Sequence, residues 1–183
     1  MPAEYKLAES GRNFLLFTDS FQSLPGELVD NHVMCFGTRT FFKNLLQAKR
    51  VHMDGTFKVC PEPFAQLFTL CSFHHDDNVG YEDDLNNRLI PRIYYLLSGK
   101  SHIIYERLFQ LIIDKANYWN YNVAWEQSMS DFEYSIFNCL AVKFPNVLRR
   151  GCHFHYCQAI FRRIQRNMKV SDFFLAIIHL IVN

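Results

Sequence analysis

Glycine and proline are scarce, at 7 and 6 residues in a chain of 183, and tryptophan occurs only twice. This excludes collagen-like and Pro/Gly-rich low-complexity chains. Charged residues make up only 20% against 49% hydrophobic, which excludes a disordered polyelectrolyte. Long hydrophobic runs are lacking too. The C-terminal run from Phe173 to Val182 is ten residues interrupted by His179, half of the roughly 20 needed to cross a bilayer. The opening "MPAEYKLAESGR" has no basic start followed by an apolar core, so no signal peptide is expected. No membrane partner is expected either. No internal repeat and no clear interdomain linker is visible.

What is present is apolar and aromatic, with 18 Phe in a chain of 16% aromatics. The six cysteines are Cys35, Cys60, Cys71, Cys139, Cys152 and Cys157, and most sit in apolar strings such as "LFTLCSF" and "IFNCLAV". There a reduced thiol behaves as a small hydrophobe, and the pattern points inside the cell rather than to a disulfide framework. The net charge of +1 conceals segregation. Residues 1–133 carry 12 Lys/Arg and 17 Asp/Glu, whereas residues 134–171 carry 7 Lys/Arg and no acid. A basic block behind an acidic body points to a polyanion partner. Charge clustered on a solvated face is the alternative.

Apolar spacing predicts the elements. "NFLLFTD" and "HVMCFG" are strand-like, and "TRTFFKNLLQAKR" is a helix with Phe42, Leu45 and Leu46 on one side and Thr38 or Thr40 as cap. Strands follow at "RVHMDGTFKV", "FAQLFTLCSFH" and, despite Pro91, "LIPRIYYLLS". "SHIIYERLFQLIIDKANYWN" is a helix capped at Ser101, its stripe Ile104, Leu108, Leu111, Ile112 and Trp119. "VAWEQSMSDFE" is a strand, "YSIFNCLAVKFP" a helix ending at Pro145, and "NVLRRGCHFHY" a strand. "CQAIFRRIQRNM" is a helix with Ile160, Phe161, Ile164 and Met168 inward and Arg162, Arg163 and Arg166 outward, and "SDFFLAIIHLIVN" opens another. Short links allow three of these strands to pair antiparallel, and the later strand–helix–strand units demand parallel crossovers. The expectation is an α/β fold, a mixed sheet flanked by helices.

Asp54 in "MDGTF" and Asp131 in "SDFE" fall within or at the ends of strands of that sheet. If the strands are neighbours the carboxylates can meet, and paired hard oxygens suit two metal ions. Spacing alone leaves another reading open. Asp54 before Gly55 is a common turn pair, and Asp131 can cap the next helix. Cys152, His155 and Cys157 lack the remaining ligands of a structural zinc site at recognisable spacing. The acidic tract Asp76, Asp77, Glu82, Asp83 and Asp84 has no Ca²⁺-loop spacing and is expected to be a solvated loop.

"VHMDGTFKVCPEPFAQLFTL", "SDFEYSIFNCLAVKFPNV" and "RRGCHFHYCQAIFRRIQ", joined by "PRIYYLLSGKSHIIYERLFQLI", resemble in order the blocks of the transposase domain of Mutator-like elements (MULE). The resemblance covers roughly residues 33–168, leaving 1–32 as a flanking segment and 169–183 as the start of a helical segment. It implies an RNase H-like fold, a DDE-type site and a nuclear protein. Asp54 and Asp131 would be the first two catalytic carboxylates, holding Mg²⁺ or Mn²⁺, with Cys152 and His155 beside them. DNA would be the partner, and Arg149, Arg150, Arg162, Arg163, Arg166 and Lys169 could meet its phosphates. The family's third ligand is a Glu downstream of the Cys-x-x-His block, yet no Glu follows His155 here. The expectation is therefore a chain truncated before the helical insertion, needing a missing C-terminal segment or another subunit and inactive alone. A domesticated DNA- or protein-binding module is the alternative.

Overall fold

The computed structural model describes residues 6–7, 11, 13–23, 31–73 and 88–167. The acidic tract at 76–84, Met168, Lys169 and the apolar run at 173–182 lie outside the described residues. The elements run β1 (Leu15–Phe21), β2 (Asn31–Phe36), α1 (Arg39–Gln47), β3 (Arg50–Thr56), β4 (Gln66–Phe73), β5 (Leu89–Leu97), α2 (His102–Tyr118), β6 (Gln127–Ser130), α3 (Tyr134–Lys143), β7 (Leu148–Gly151) and α4 (His153–Asn167).

The strands form one seven-stranded sheet in the order β1-β2-β5-β4-β3-β6-β7. Pairs from β1 to β3 along that order are antiparallel, and β3–β6 and β6–β7 are parallel. This is the mixed α/β architecture expected from the apolar pattern. β1, within the flanking segment, belongs to the same sheet. A bidentate Arg107–Asp19 pair, at 2.8 and 3.0 Å, ties it to α2.

Local chemistry accounts for the elements. The Thr38 side chain accepts from the Phe41 amide at 3.2 Å and starts α1, while Phe42, Leu45 and Leu46 are buried. Pro91 is tolerated in β5 because the register with β4 slips between Leu70 and Cys71, and β2 pairs only with Tyr94–Leu97. The proline thus sits at a bulge, beyond the reach of β2. β4 reads as a continuous apolar run, but burial alternates along it. Gln66, Phe68, Leu70 and Ser72 are buried, whereas Leu67, Thr69, Cys71 and Phe73 are only partly covered. One sheet face therefore enters the core, which Phe42, Leu45, Tyr105, Leu108, Phe109, Ile136 and Leu140 complete from α1, α2 and α3.

Two expectations are corrected at the C-terminal end of the described chain. β7 stops at Gly151, and the residues from His153 to Tyr156 open α4 instead of extending the strand. Strand pairing ends where β6 ends, because Gly151 faces Ser130, the last residue of β6. Ile160 and Phe161 do not face inward either, being 43% and 46% exposed. α4 contributes nothing to the buried core among the described residues. Among those residues no helix is long and apolar enough to cross a membrane.

Phe68 packs on Tyr105 with ring centroids 5.5 Å apart and has no exposed surface. Phe68→Ala should cost about 3–5 kcal/mol, read as a fall in urea midpoint at constant m-value. Leu67→Ala, on the half-covered face, should cost distinctly less in the same measurement.

Candidate active site

Asp54 is the fifth residue of β3 and pairs with Thr69 of β4. It lies inside a strand that continues to Thr56, so the Asp-Gly turn reading does not hold. Asp131 directly follows β6. β3 and β6 are parallel neighbours with His52 opposite Met129, so each aspartate sits two positions beyond the same pair. The topology therefore brings Asp54 and Asp131 to matching positions on adjacent central strands.

His155, in the first turn of α4, completes the approach, with its Nε2 3.7 Å from Asp54 Oδ1. Its Nδ1 is buried and without a partner among the described residues. Burial pushes the Asp131 carboxyl above its ordinary range. A charge on His155 and a bond from the Glu133 amide oppose that shift, Asp54 adds to it, and Lys100 opposes it again. Asp131 does not cap α3, since Glu133 occupies the N-cap position. Asp54 also reaches across to β4, where burial first and its charge second raise the Cys71 thiol to about 11.

Glu133 is the acid that sequence reasoning missed. Its Oε2 lies 3.2 Å from the Tyr105 hydroxyl of α2, which also receives a 2.9 Å bond from Gln66 Nε2. Gln66 in turn donates to the Gly99 carbonyl at 3.1 Å. Burial raises the Glu133 carboxyl, Tyr105 lowers it, and Asp131 raises it further. Its spacing, two residues after Asp131 in "SDFE", was visible; the Tyr105 and Gln66 side chains that hold it come from distant strands and helices. Lys100, just before α2, is the neighbouring cation in both shifts.

The Cys152 amide donates to the Ser130 carbonyl at 2.7 Å, fastening the start of α4 to the end of β6. Cys157 faces His153 at 3.5 Å on exposed helix, away from this group. Among the described residues no three His, Cys, Asp or Glu side chains are grouped closely enough to hold one ion. Arg150, Arg162, Arg163 and Arg166 are exposed and Arg149 is partly so. Lys169 lies outside the described residues. Compared with known proteins, the chain matches no family model and no curated protein.

The raised Asp131 and Glu133 carboxyls fix a sign. The folded chain holds these protons to higher pH than the unfolded chain, whose groups titrate near 3.8 and 4.5. Their stabilising contribution is complete below those values and is lost as pH rises through the higher folded ones. Asp131→Asn should therefore raise Tm at pH 7 by about 2 °C, well under 1 kcal/mol, and flatten the decline above pH 4. Calorimetry of both proteins across that range measures it.

Proposed function

We propose that this chain is the core of a DNA-processing protein with an RNase H-like sheet, of the kind found in the transposase domain of Mutator-like elements. The antiparallel run β5-β4-β3 followed by the parallel pair β3-β6-β7 supports that fold reading. One observation carries the functional reading. Asp54 and Asp131, 77 positions apart in the chain, reach matching positions at adjacent strands, Asp131 one residue past the end of β6, and the charge of Asp54 acts on Asp131.

The donor chemistry fits a hard divalent cation. Both groups are carboxylates, and the charge of Asp54 works against ionisation of Asp131. Asp54 and Asp131 are the residues that would hold Mg²⁺ or Mn²⁺. Such an ion, when bound, supplies charge stabilisation to the oxygens of a phosphodiester under attack. The chain's own groups do the rest. His155 sits against Asp54 and contributes positive charge when protonated. Lys100 offsets the charge of Asp131 and Glu133. The Tyr105 hydroxyl keeps Glu133 in place beside Asp131. The exposed arginines of α4 meet backbone phosphates, giving salt-sensitive, sequence-independent affinity. With Glu133 engaged by Tyr105, two aspartates alone make a weak metal site, and the isolated chain binds DNA without transferring strands. A non-catalytic binding module is the second reading. The exposed rings of Phe154 and Tyr156, 65% and 52% accessible on α4, favour it.

Two measurements test this. Mg²⁺ or Mn²⁺ should raise the Tm of the wild-type chain by mass action, about 2.7 kcal/mol at a hundredfold excess over Kd. Asp54→Asn and Asp131→Asn should abolish the shift, and a wild-type chain indifferent to both ions sinks the metal reading. For DNA, four to six phosphate contacts predict that log affinity falls with log salt at a slope of about −4 to −5. Arg162→Ala, Arg163→Ala and Arg166→Ala together should flatten that slope and leave the far-ultraviolet spectrum unchanged. Undetectable duplex binding at low salt rejects DNA as the partner.

A further inference from the structure

A groove of about 380 Å³ is lined by Phe132, the residue after Asp131, with Tyr134, Phe137, Asn138, Ala141 and Arg149. Its aromatic walls are exposed: Phe132 is 59% and Tyr134 79% accessible. Large rings in water cost free energy unless something covers them. Phe132 is also held in position. Its ring lies within 10° of parallel to Phe137 at 6.4 Å and meets Tyr156 of α4 at 6.0 Å. It rests on Gly151 so closely that a Cβ there would overlap it. A side chain at position 151 would displace the Phe132 ring.

We propose that this groove takes an unpaired nucleobase of the nucleic acid whose phosphodiester lies at Asp54 and Asp131, an assignment that rests on the function proposed above. Three features select that occupant. An exposed, pre-positioned ring is a stacking platform for any base. The Asn138 amide can donate to and accept from a base edge, a wasted polarity for an apolar peptide. Arg149 brings positive charge from the acid-free interval 134–171, complementary to the phosphate attached to such a base. The volume lies near the lower bound for small-molecule sites, room for a nucleoside and too little for a docked helix. Phe132 follows Asp131 directly, their Cα atoms about 3.8 Å apart, so a base stacked there is within a nucleotide's reach of the proposed reacting phosphate.

The test uses the full 183-residue chain without divalent ions and three probes. These are a blunt duplex, the same duplex with a single-stranded tail carrying 2-aminopurine at its first unpaired position, and that tail with an abasic site in its place. Tight binding of the tailed probe, quenched 2-aminopurine fluorescence and loss of the preference with the abasic tail are expected. Phe132→Ala should weaken the tailed probe about tenfold and leave the blunt duplex unchanged, and Phe132→Trp should restore it. Circular dichroism confirms folding of each variant, and the abasic probe gives the same answer with no substitution at all. Equal affinity for the abasic and base-carrying tails, or quenching that persists in Phe132→Ala, overturns the assignment and leaves the groove to a protein segment. If the blunt duplex still binds with its steep salt dependence, only the groove assignment falls. If no probe binds, the nucleic-acid reading falls with it.

Discussion

Parallel pairing of Arg50–His52 with Gln127–Met129 is the constraint on which the rest of the molecule depends. A parallel partner cannot be reached through a tight turn, so the chain must leave β3 and return from the same direction. It does so through β4, β5 and all of α2. That excursion places β3 in the middle of the sheet, with β4 on one side and β6 on the other. It also decides which residues of two distant segments share an end of the sheet. Trp125 secures the return. Its indole donates to the Leu45 carbonyl at 2.8 Å, and the Glu126 and Gln127 amides both bond to the Lys49 carbonyl just before β3.

The same geometry concentrates negative charge. Asp54, Asp131 and Glu133 come from two segments near one end of β3 and β6, with Asp131 coupled to each of the other two and Lys100 and His155 as the opposing charges. Burying carboxylates without full compensation costs stability, and raised carboxyls are the form that cost takes. The Gln66–Tyr105–Glu133 chain works in the other direction. It satisfies a fully buried Gln66 side chain and holds Glu133 through a phenol that burial pushes well above its ordinary range. Such a network stabilises only when every member is paired. It links β4, α2 and the entry to α3, so the packing of the core sets the position of a charge at the site.

Around this acidic centre the surface changes character. α4 carries its arginines and aromatic rings outward, and Phe132 leans on Gly151 rather than on the core. Exposed basic and aromatic groups thus surround partly covered acids, while the apolar burial of α1, α2 and α3 lies beneath them.

Periodicity in the sequence determined the element order, because local spacing of apolar residues dictates which backbone geometry can bury them. It marked Phe42, Leu45 and Leu46, the Thr38 cap, and a strand through Pro91. It placed Asp54 and Asp131 within or at the ends of strands, their pairing as ligands came only from the resemblance to the MULE blocks, and the charge segregation was legible in the composition. Tertiary structure alone decided the remainder. Whether β4 is covered on one face or both depends on which helices pack against it, and alternation does not show in a run whose polar residues, Gln66, Thr69 and Ser72, fall on both faces. Glu133 became part of the site through Tyr105 and Gln66, which lie 28 and 67 positions away in the chain. α4 began two residues after Gly151 because its strand ran out of partner, not because a breaker ended it. Its apolar stripe stayed at the surface because amphipathic spacing states only that one face differs from the other. What covers that face is settled by the neighbours the fold provides.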